Sequence, residues 1–113
     1  MAALTAITPT NAGALSPGAA VASSDTVSTA VMGRNGALLE IINGNAGVDN
    51  VAISDNGRTP AGNPLAAGSV TTAVAAGTSR VFRLRPEQAH PWNGLITITH
   101  SVTSTVTYKL YPI

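Results

Sequence analysis

The sequence contains no cysteine and few charged residues. Its 113 residues include six Lys and Arg, five Asp and Glu, and two His, so charged side chains make up 10% of the chain and the formal net charge is +1. The absence of cysteine excludes disulfides, thiol catalysis and every metal site built on thiolates. Charges this sparse and balanced give no electrostatic footprint for nucleic acid or for an anionic membrane surface. We therefore predict neither kind of partner.

Aromatic residues and long apolar runs are also scarce. One Phe, one Trp and two Tyr are the only aromatic residues. Pro, Gly and Thr interrupt every apolar run well before the ~18 residues that a membrane-spanning helix needs. No basic stretch precedes an apolar one near the first residue, so we expect neither a cleaved signal peptide nor a membrane anchor. The hydrophobic fraction of 44% still predicts a folded chain, and its length fits one small domain.

The first 24 residues differ from the rest of the chain. They carry no charged side chain and no sustained hydrophobic period, and Pro9 and Pro17 favour extended backbone. We predict an extended N-terminal arm over residues 1–24 and a β-sandwich domain over residues 25–113. A frayed terminus is the alternative for the arm. The missing charge favours a segment that lies on a partner's surface through Leu4, Ile7, Leu15 and Val21.

From residue 25 onward, apolar and polar residues alternate in short segments separated by turn residues, as in half-buried strands. Four Asn-Gly pairs near the segment boundaries favour tight reversals. We predict an all-β fold, either a single small antiparallel β-sandwich or a jelly-roll-like barrel, with at most one helical turn at residues 86–90. The predicted strands are residues 25–31, 37–43, 51–54, 69–75, 80–85, 95–100 and 103–111. Their inward side chains are predicted to be Leu39, Ile41, Val51, Ile53, Val70, Thr72, Val74, Phe82, Leu84, Ile96, Ile98, Val106, Tyr108 and Leu110.

No arrangement of residues predicts a catalytic site. His90 and His100 lie outside any nucleophile motif, and their spacing does not fit zinc. No pair of carboxylates is marked for acid–base chemistry. Asp49 and Asp55, each followed by Asn, offer oxygen ligands for a weak calcium site, with plain Asx turns as the alternative. We predict a protein that is not an enzyme and that holds no metal or cofactor.

Arginines form the single charged cluster of the sequence. Arg83 and Arg85 fall on one face of a predicted strand, with Arg80 nearby. They either protect an edge strand from aggregation or pair with carboxylates of a partner protein. Trp92, between Pro91 and an Asn-Gly turn, either covers the core from a loop or anchors an interface.

Residues 35–44, 53–62, 76–84 and 107–111, together with the uncharged arm, resemble the small capsid-decoration (cement) or minor virion proteins of tailed phages that infect actinobacteria. The resemblance covers most of the chain and is one of length and composition, without a diagnostic motif. It implies a β-sandwich module, often a homotrimer, that binds the outer surface of the phage head. The implied partner is the major capsid protein, and the implied location is the virion, after synthesis in the host cytoplasm.

Two other functions remain as alternatives. A tail or head-to-tail component would use the same β module in a ring. A carbohydrate-binding module would need an aromatic platform, for which the sequence offers Trp92, Tyr108 and Tyr111.

Overall fold

Two β-sheets packed face to face make up the chain in a computed structural model, which describes residues 2–13, 18–55, 68–90 and 93–113. The prediction of an all-β sandwich is confirmed. Two short 3-10 helices, Thr29–Val31 and Pro86–Gln88, are the helical elements in these ranges. The strands are β1 (Ala2–Ala3), β2 (Ala19–Ala20), β3 (Ser24–Ser28), β4 (Ala37–Asn43), β5 (Asp49–Asp55), β6 (Gly68–Val74), β7 (Ser79–Leu84), β8 (Leu95–His100) and β9 (Val106–Pro112).

The chain changes sheet at almost every connection. The five-stranded sheet has the order β1-β3-β8-β5-β6, and the four-stranded sheet has the order β2-β9-β4-β7. Only β5 and β6 are consecutive strands that pair with each other; all other consecutive strands lie in different sheets. Every pairing is antiparallel except that of β1 with β3, which is parallel. The neighbours in each sheet are therefore mostly distant in sequence.

The hydrophobic core lies between the two sheets, where the alternation of the sequence places it. In β4, Ala37, Leu39, Ile41 and Asn43 are buried, and the residues between them are half-buried. Most of the predicted inward side chains are buried. Phe82 and Thr72 are half-buried at the side of the sandwich, and Val70 is 63% exposed on the edge strand β6. Val, Ile and Ala make up most of this core, and Tyr108 is its one buried aromatic residue among the described residues.

The N-terminal segment is part of the sandwich. Ala2 and Ala3 pair with β3 in one sheet, and the backbone N–H of Ile7 donates to the carbonyl of Leu110 in the other sheet, at 2.8 Å. β2 then pairs with β9. Described parts of residues 2–24 thus cover the β3 and β9 edges, whereas the sequence predicts an extended arm over residues 1–24 and a domain that begins at residue 25.

Two turns depend on glycine. The turn after β6 carries the chain from one sheet to the other, and Gly77 there has a φ of 72°. Gly36 has a φ of 103°, and a Cβ at that position would clash with the carbonyl oxygen of Leu84. Both positions need backbone conformations that side chains disfavour. The sequence indicates the turns correctly but does not show that the first one joins two sheets.

Three strand boundaries differ from the predictions by more than one residue. β3 ends at Ser28, whose side-chain oxygen accepts a hydrogen bond from Ala30 and begins a 3-10 turn. β5 is longer than predicted and begins at Asp49, because the Asp49 side chain faces the core. β9 begins only at Val106, after Thr105, which has a φ of 58°. Most of the predicted loop at residues 55–64 lies outside the described residues. In the part of the chain that is described, no helix combines the length and the apolar character that crossing a membrane requires.

The Leu4→Ala substitution tests whether the N-terminal segment is part of the core. Leu4 is 5% exposed and belongs to the buried cluster. We expect the substitution to lower the free energy of unfolding by about 2–5 kcal/mol, the usual cost of a large-to-small change in a core. Urea denaturation measures it. Val48→Ala, at an exposed valine, is the control and should change stability by less than about 0.5 kcal/mol. Equal, small effects of both substitutions would mean that the segment is detached in solution.

Candidate functional site

Asp49 and His100 form a buried pair at one end of the five-stranded sheet. The Asp49 Oδ2 atom lies 2.7 Å from His100 Nδ1, and neither side chain is exposed to solvent. The other carboxylate oxygen, Oδ1, accepts hydrogen bonds from the backbone N–H groups of Ser101 and Val102, at 3.1 and 3.3 Å. The carboxylate thus fixes the turn after β8 as well as the imidazole ring. No pattern in the sequence indicates this pair, since the two residues are 51 positions apart.

The pair resembles the orienting half of a catalytic triad, but its surroundings favour a structural role. A catalytic histidine needs its second nitrogen within hydrogen-bond reach of a nucleophile or substrate. His100 Nε2 is buried, and no described group forms a hydrogen bond with it. Asp25 Oδ1, on the adjacent strand β3, is also buried without a partner, while Asp25 Oδ2 accepts from the N–H of Ala22 at 3.1 Å. These polar groups face the core and not a cleft.

The calcium hypothesis for Asp49 and Asp55 is wrong. The two residues are the first and last of β5, which puts them about 20 Å apart at ~3.3 Å per residue. The Asp49 oxygens are also already engaged with His100 and the following turn. Within residues 2–13, 18–55, 68–90 and 93–113, no group of three or more Asp, Glu or His side chains is placed to hold a metal ion.

The proposed aromatic platform is also wrong for the two tyrosines. Tyr108 is 6% exposed and faces the core, where its hydroxyl accepts a hydrogen bond from the N–H of Thr5 at 3.1 Å. Tyr111 is three residues further along β9, so it points to the opposite face of the sheet. The two rings cannot bind one sugar together. Trp92 lies outside the described residues.

The predicted contact residues of the N-terminal segment have different environments. Leu4 and Val21 are buried in the core, which contradicts the prediction that they lie on a partner's surface. Their side chains are needed to close the sandwich between β3 and β9. Ile7 is half-buried, and its role in partner binding stays a prediction. Leu15 lies outside the described residues.

The arginines line an open side of the sandwich. β6 and β7 are the last strands of their sheets on this side, and we call them the open edge. Arg83 is exposed, and its Nη2 atom donates to the carbonyl of Asn35 at 3.5 Å. Arg80 and Arg85 are exposed too, and none of the three forms a salt bridge with a described residue. The surface therefore carries positive charge that is not neutralised locally.

A shallow groove runs between the two strands of the open edge. It has a volume of about 180 Å³ and is lined by Ile53, Val70, Thr72, Phe82, Arg83 and Gln88. Val70 and Val81, on β6 and β7, are 63% and 61% exposed and are the most exposed large hydrophobic side chains among the described residues. Apolar side chains on two unpaired edge strands mark a surface suited to another polypeptide.

The outer faces of the two sheets differ in charge. On the four-stranded sheet, Glu40, Arg83 and Lys109 point outward. On the five-stranded sheet, the described outward side chains include no charged residue, and we call this surface the neutral face. Its members from β3, β5, β6 and β8 are Ser24, Thr26, Ser28, Asn50, Ala52, Ser54, Thr71, Ala73, Leu95, Thr97 and Thr99. The sequence contains this pattern as Ser and Thr at alternate positions, but assembling it into one face requires the strand order.

Comparison with known proteins identifies no relative. No protein-family model matches the chain, and neither curated proteins nor solved structures give a significant match. The functional assignment therefore rests on the geometry and on the resemblance described above.

The Asp49→Ala substitution tests the buried pair. We expect the free energy of unfolding to fall by about 3–5 kcal/mol, because His100 and two backbone N–H groups lose a buried acceptor. Chemical denaturation followed by circular dichroism measures the change. Asp55→Ala, at the exposed end of the same strand, is the control, with an expected effect below about 0.5 kcal/mol. A similar, small effect at both positions would show that the pair does not stabilise the fold.

Proposed function

We propose that the protein is a phage head decoration protein, which binds the outer surface of the capsid lattice and stabilises contacts between major capsid subunits. The observation that carries the proposal is the difference between the two outer faces. One is free of charge over its described residues, and the other carries Glu40, Arg83 and Lys109. A protein that sits on a larger surface needs one face for that surface and one for solvent.

The neutral face fits the inner, lattice-facing role. Burying a charged side chain without a partner costs far more than burying a hydroxyl, which forms a hydrogen bond in many directions. Thr99, on β8, and Thr71, on the edge strand β6, are both exposed. They lie on either side of Ala52 in one row across the sheet. Their methyl groups add apolar contact area, and their hydroxyls adapt to a partner's backbone groups.

The charged face fits the outer role. Glu40 lies opposite Val81 on one side and Lys109 on the other, so charges of both signs alternate there. Such a surface stays hydrated and keeps an assembled particle soluble. Arg83 belongs to this face, and the proposed lattice contact through the neutral face does not use it. Partner binding by Arg83 and Arg85 is therefore a separate prediction.

A tail or head-to-tail component remains the second candidate, since a neutral face also suits packing in a ring. The resemblance favours the head, and a binding experiment with purified heads separates the two. The homotrimer that the resemblance implies stays a prediction, because the contacts within one copy of the chain do not test it.

The Thr99→Glu substitution tests the neutral face. It puts a charge in the centre of the proposed contact, and we expect the apparent affinity for purified heads that lack this protein to fall at least about tenfold. Sedimentation of heads with bound protein, over a range of protein concentrations, measures occupancy.

Thr103→Glu is the matched control. Thr103 is exposed in the connection between β8 and β9, outside the neutral face, so the same substitution there should leave occupancy unchanged. Unfolding curves of both variants check that the fold is retained. Binding by Thr99→Glu at the level of Thr103→Glu would refute the neutral face as the lattice contact. A wild-type protein that does not bind heads at all would refute the decoration role.

A further inference from the structure

The free backbone groups of β7 form a regular row along the open edge. The N–H of Asn43 donates to the carbonyl of Thr78 at 2.9 Å, which fixes the phase of the β4–β7 ladder. Because residues of an antiparallel pair bond to the partner strand at every second position, residues 80, 82 and 84 bond to β4. Ser79, Val81 and Arg83 therefore present their N–H and C=O groups outward, where no described strand pairs with them.

We propose that β7 pairs with β7 of a second copy of this chain, antiparallel and centred on Val81, to form a two-fold dimer with a continuous eight-stranded sheet. In this register Val81 faces Val81 of the second copy, and Ser79 faces Arg83 of the second copy. All three residues with outward backbone groups then exchange hydrogen bonds with the second copy, about six bonds in total. The contact is isologous, so both copies use the same surface.

The side chains disfavour the registers that are centred on an arginine. Centring the pair on Arg80 or on Arg83 would place arginine directly opposite arginine, and like charges opposed across a strand pair are destabilising. Centring it on Val81 places no two charged side chains opposite each other. Arg80 instead lies opposite Phe82 of the second copy, and a guanidinium near an aromatic ring is attracted to it.

The exposed apolar side chains of the open edge also fit contact with a second copy of the chain. The two-fold axis brings the open edges of both copies together, so β6 approaches the second copy beside β7. Val70 and Val81, the two most exposed large hydrophobic side chains of the described residues, then both lie in the contact. The dimer removes this surface of the open edge from solvent, whereas β1, Ile7 and β2 already cover the opposite edges.

The two-fold contact differs from the ring of three predicted from the resemblance. A closed ring of three needs two different surfaces on each copy, whereas β7 pairs with itself. The inference also stands apart from the proposed capsid role, because it depends on β7 and not on the neutral face.

Analytical ultracentrifugation of the full chain tests the dimer, at concentrations up to roughly 100 μM because a contact of this size lies at the weak end of specific interfaces. We expect a concentration-dependent increase to about twice the monomer mass for the wild type. Val81→Pro removes one outward N–H without breaking a bond to β4, and Val81→Asp places like charges opposite each other on the axis. Both variants should remain monomeric with the wild-type fold by circular dichroism.

Val48→Asp is the matched control, since Val48 is 47% exposed in the turn before β5 and away from the open edge. It should dimerise like the wild type. A wild-type chain that is monomeric throughout the concentration range would overturn the proposal, and so would a trimer. A dimer that is unaffected by Val81→Asp would show that another surface forms it.

The absence of cysteine from the chain allows a test of the register. In a hydrogen-bonded antiparallel pair the Cα atoms lie about 5.5 Å apart, within the range that a disulfide spans. Val81→Cys should therefore cross-link with itself on oxidation or with a short bismaleimide, and Val48→Cys should not. Ser79→Cys and Arg83→Cys should each cross-link poorly alone and efficiently when mixed. Cross-linking of Arg83→Cys with itself in preference to the mixture would overturn the register.

Discussion

The need to satisfy the backbone groups of edge strands governs the whole structure. A two-sheet sandwich has four edges, and each exposes unpaired N–H and C=O groups that invite pairing with other chains. On one side the N-terminal segment solves this problem for both sheets: β1 pairs with β3, and Ile7 and β2 pair with β9. Leu4 and Val21 then close the core behind them. On the other side β6 and β7 have no such cover among the described residues. The covered edges of β3 and β9 therefore contribute to folding, and the open edge formed by β6 and β7 is available for contact with another chain.

Buried carboxylates hold the end of the sandwich where chain segments from different sheets meet. Asp49 binds His100 and the turn that follows it, and Asp25 binds the N–H of Ala22, where the N-terminal segment enters β3. Burying a charge costs free energy that its partners only partly offset, so we infer that these groups matter more for the choice of one arrangement than for net stability. That choice is demanding here, because nearly every pair of adjacent strands joins distant parts of the chain. A chain built from similar Thr- and Val-rich strands needs polar contacts of this kind to fix which strands pair and in which register.

Alternation was sufficient to predict the class of fold and nearly all inward residues. Leu39, Ile41, Ile96 and Ile98 are buried as their period of two requires. The alternation pattern does not predict features that depend on the order of the strands in the sheets. The neutral face collects residues from four strands, and the pair of Asp49 with His100 joins positions 51 apart. The prediction that the N-terminal segment lies on a partner's surface was wrong for Leu4 and Val21, because an uncharged, apolar segment suits the edge of its own domain as well as the surface of a partner. The same absence of charge supports both interpretations, and only the strand pairing separates them.

The two proposed surfaces are compatible because of the direction of the two-fold axis. In an antiparallel pair of edge strands the two-fold axis runs perpendicular to the sheet. Rotation about this axis superposes one copy on the other and keeps each outer face on the same side of the dimer. Both charged faces then point to one side, and both neutral faces point to the other. A dimer through β7 would therefore double the neutral area available to one flat partner, and two linked contacts hold far better than one when the partner repeats at a matching distance. A weak contact between the two β7 strands is sufficient to form the dimer on such a lattice, since a lattice that binds both copies also raises their local concentration. The arginines of β7 do not obstruct it, because the register centred on Val81 separates Arg83 from its counterpart in the second copy.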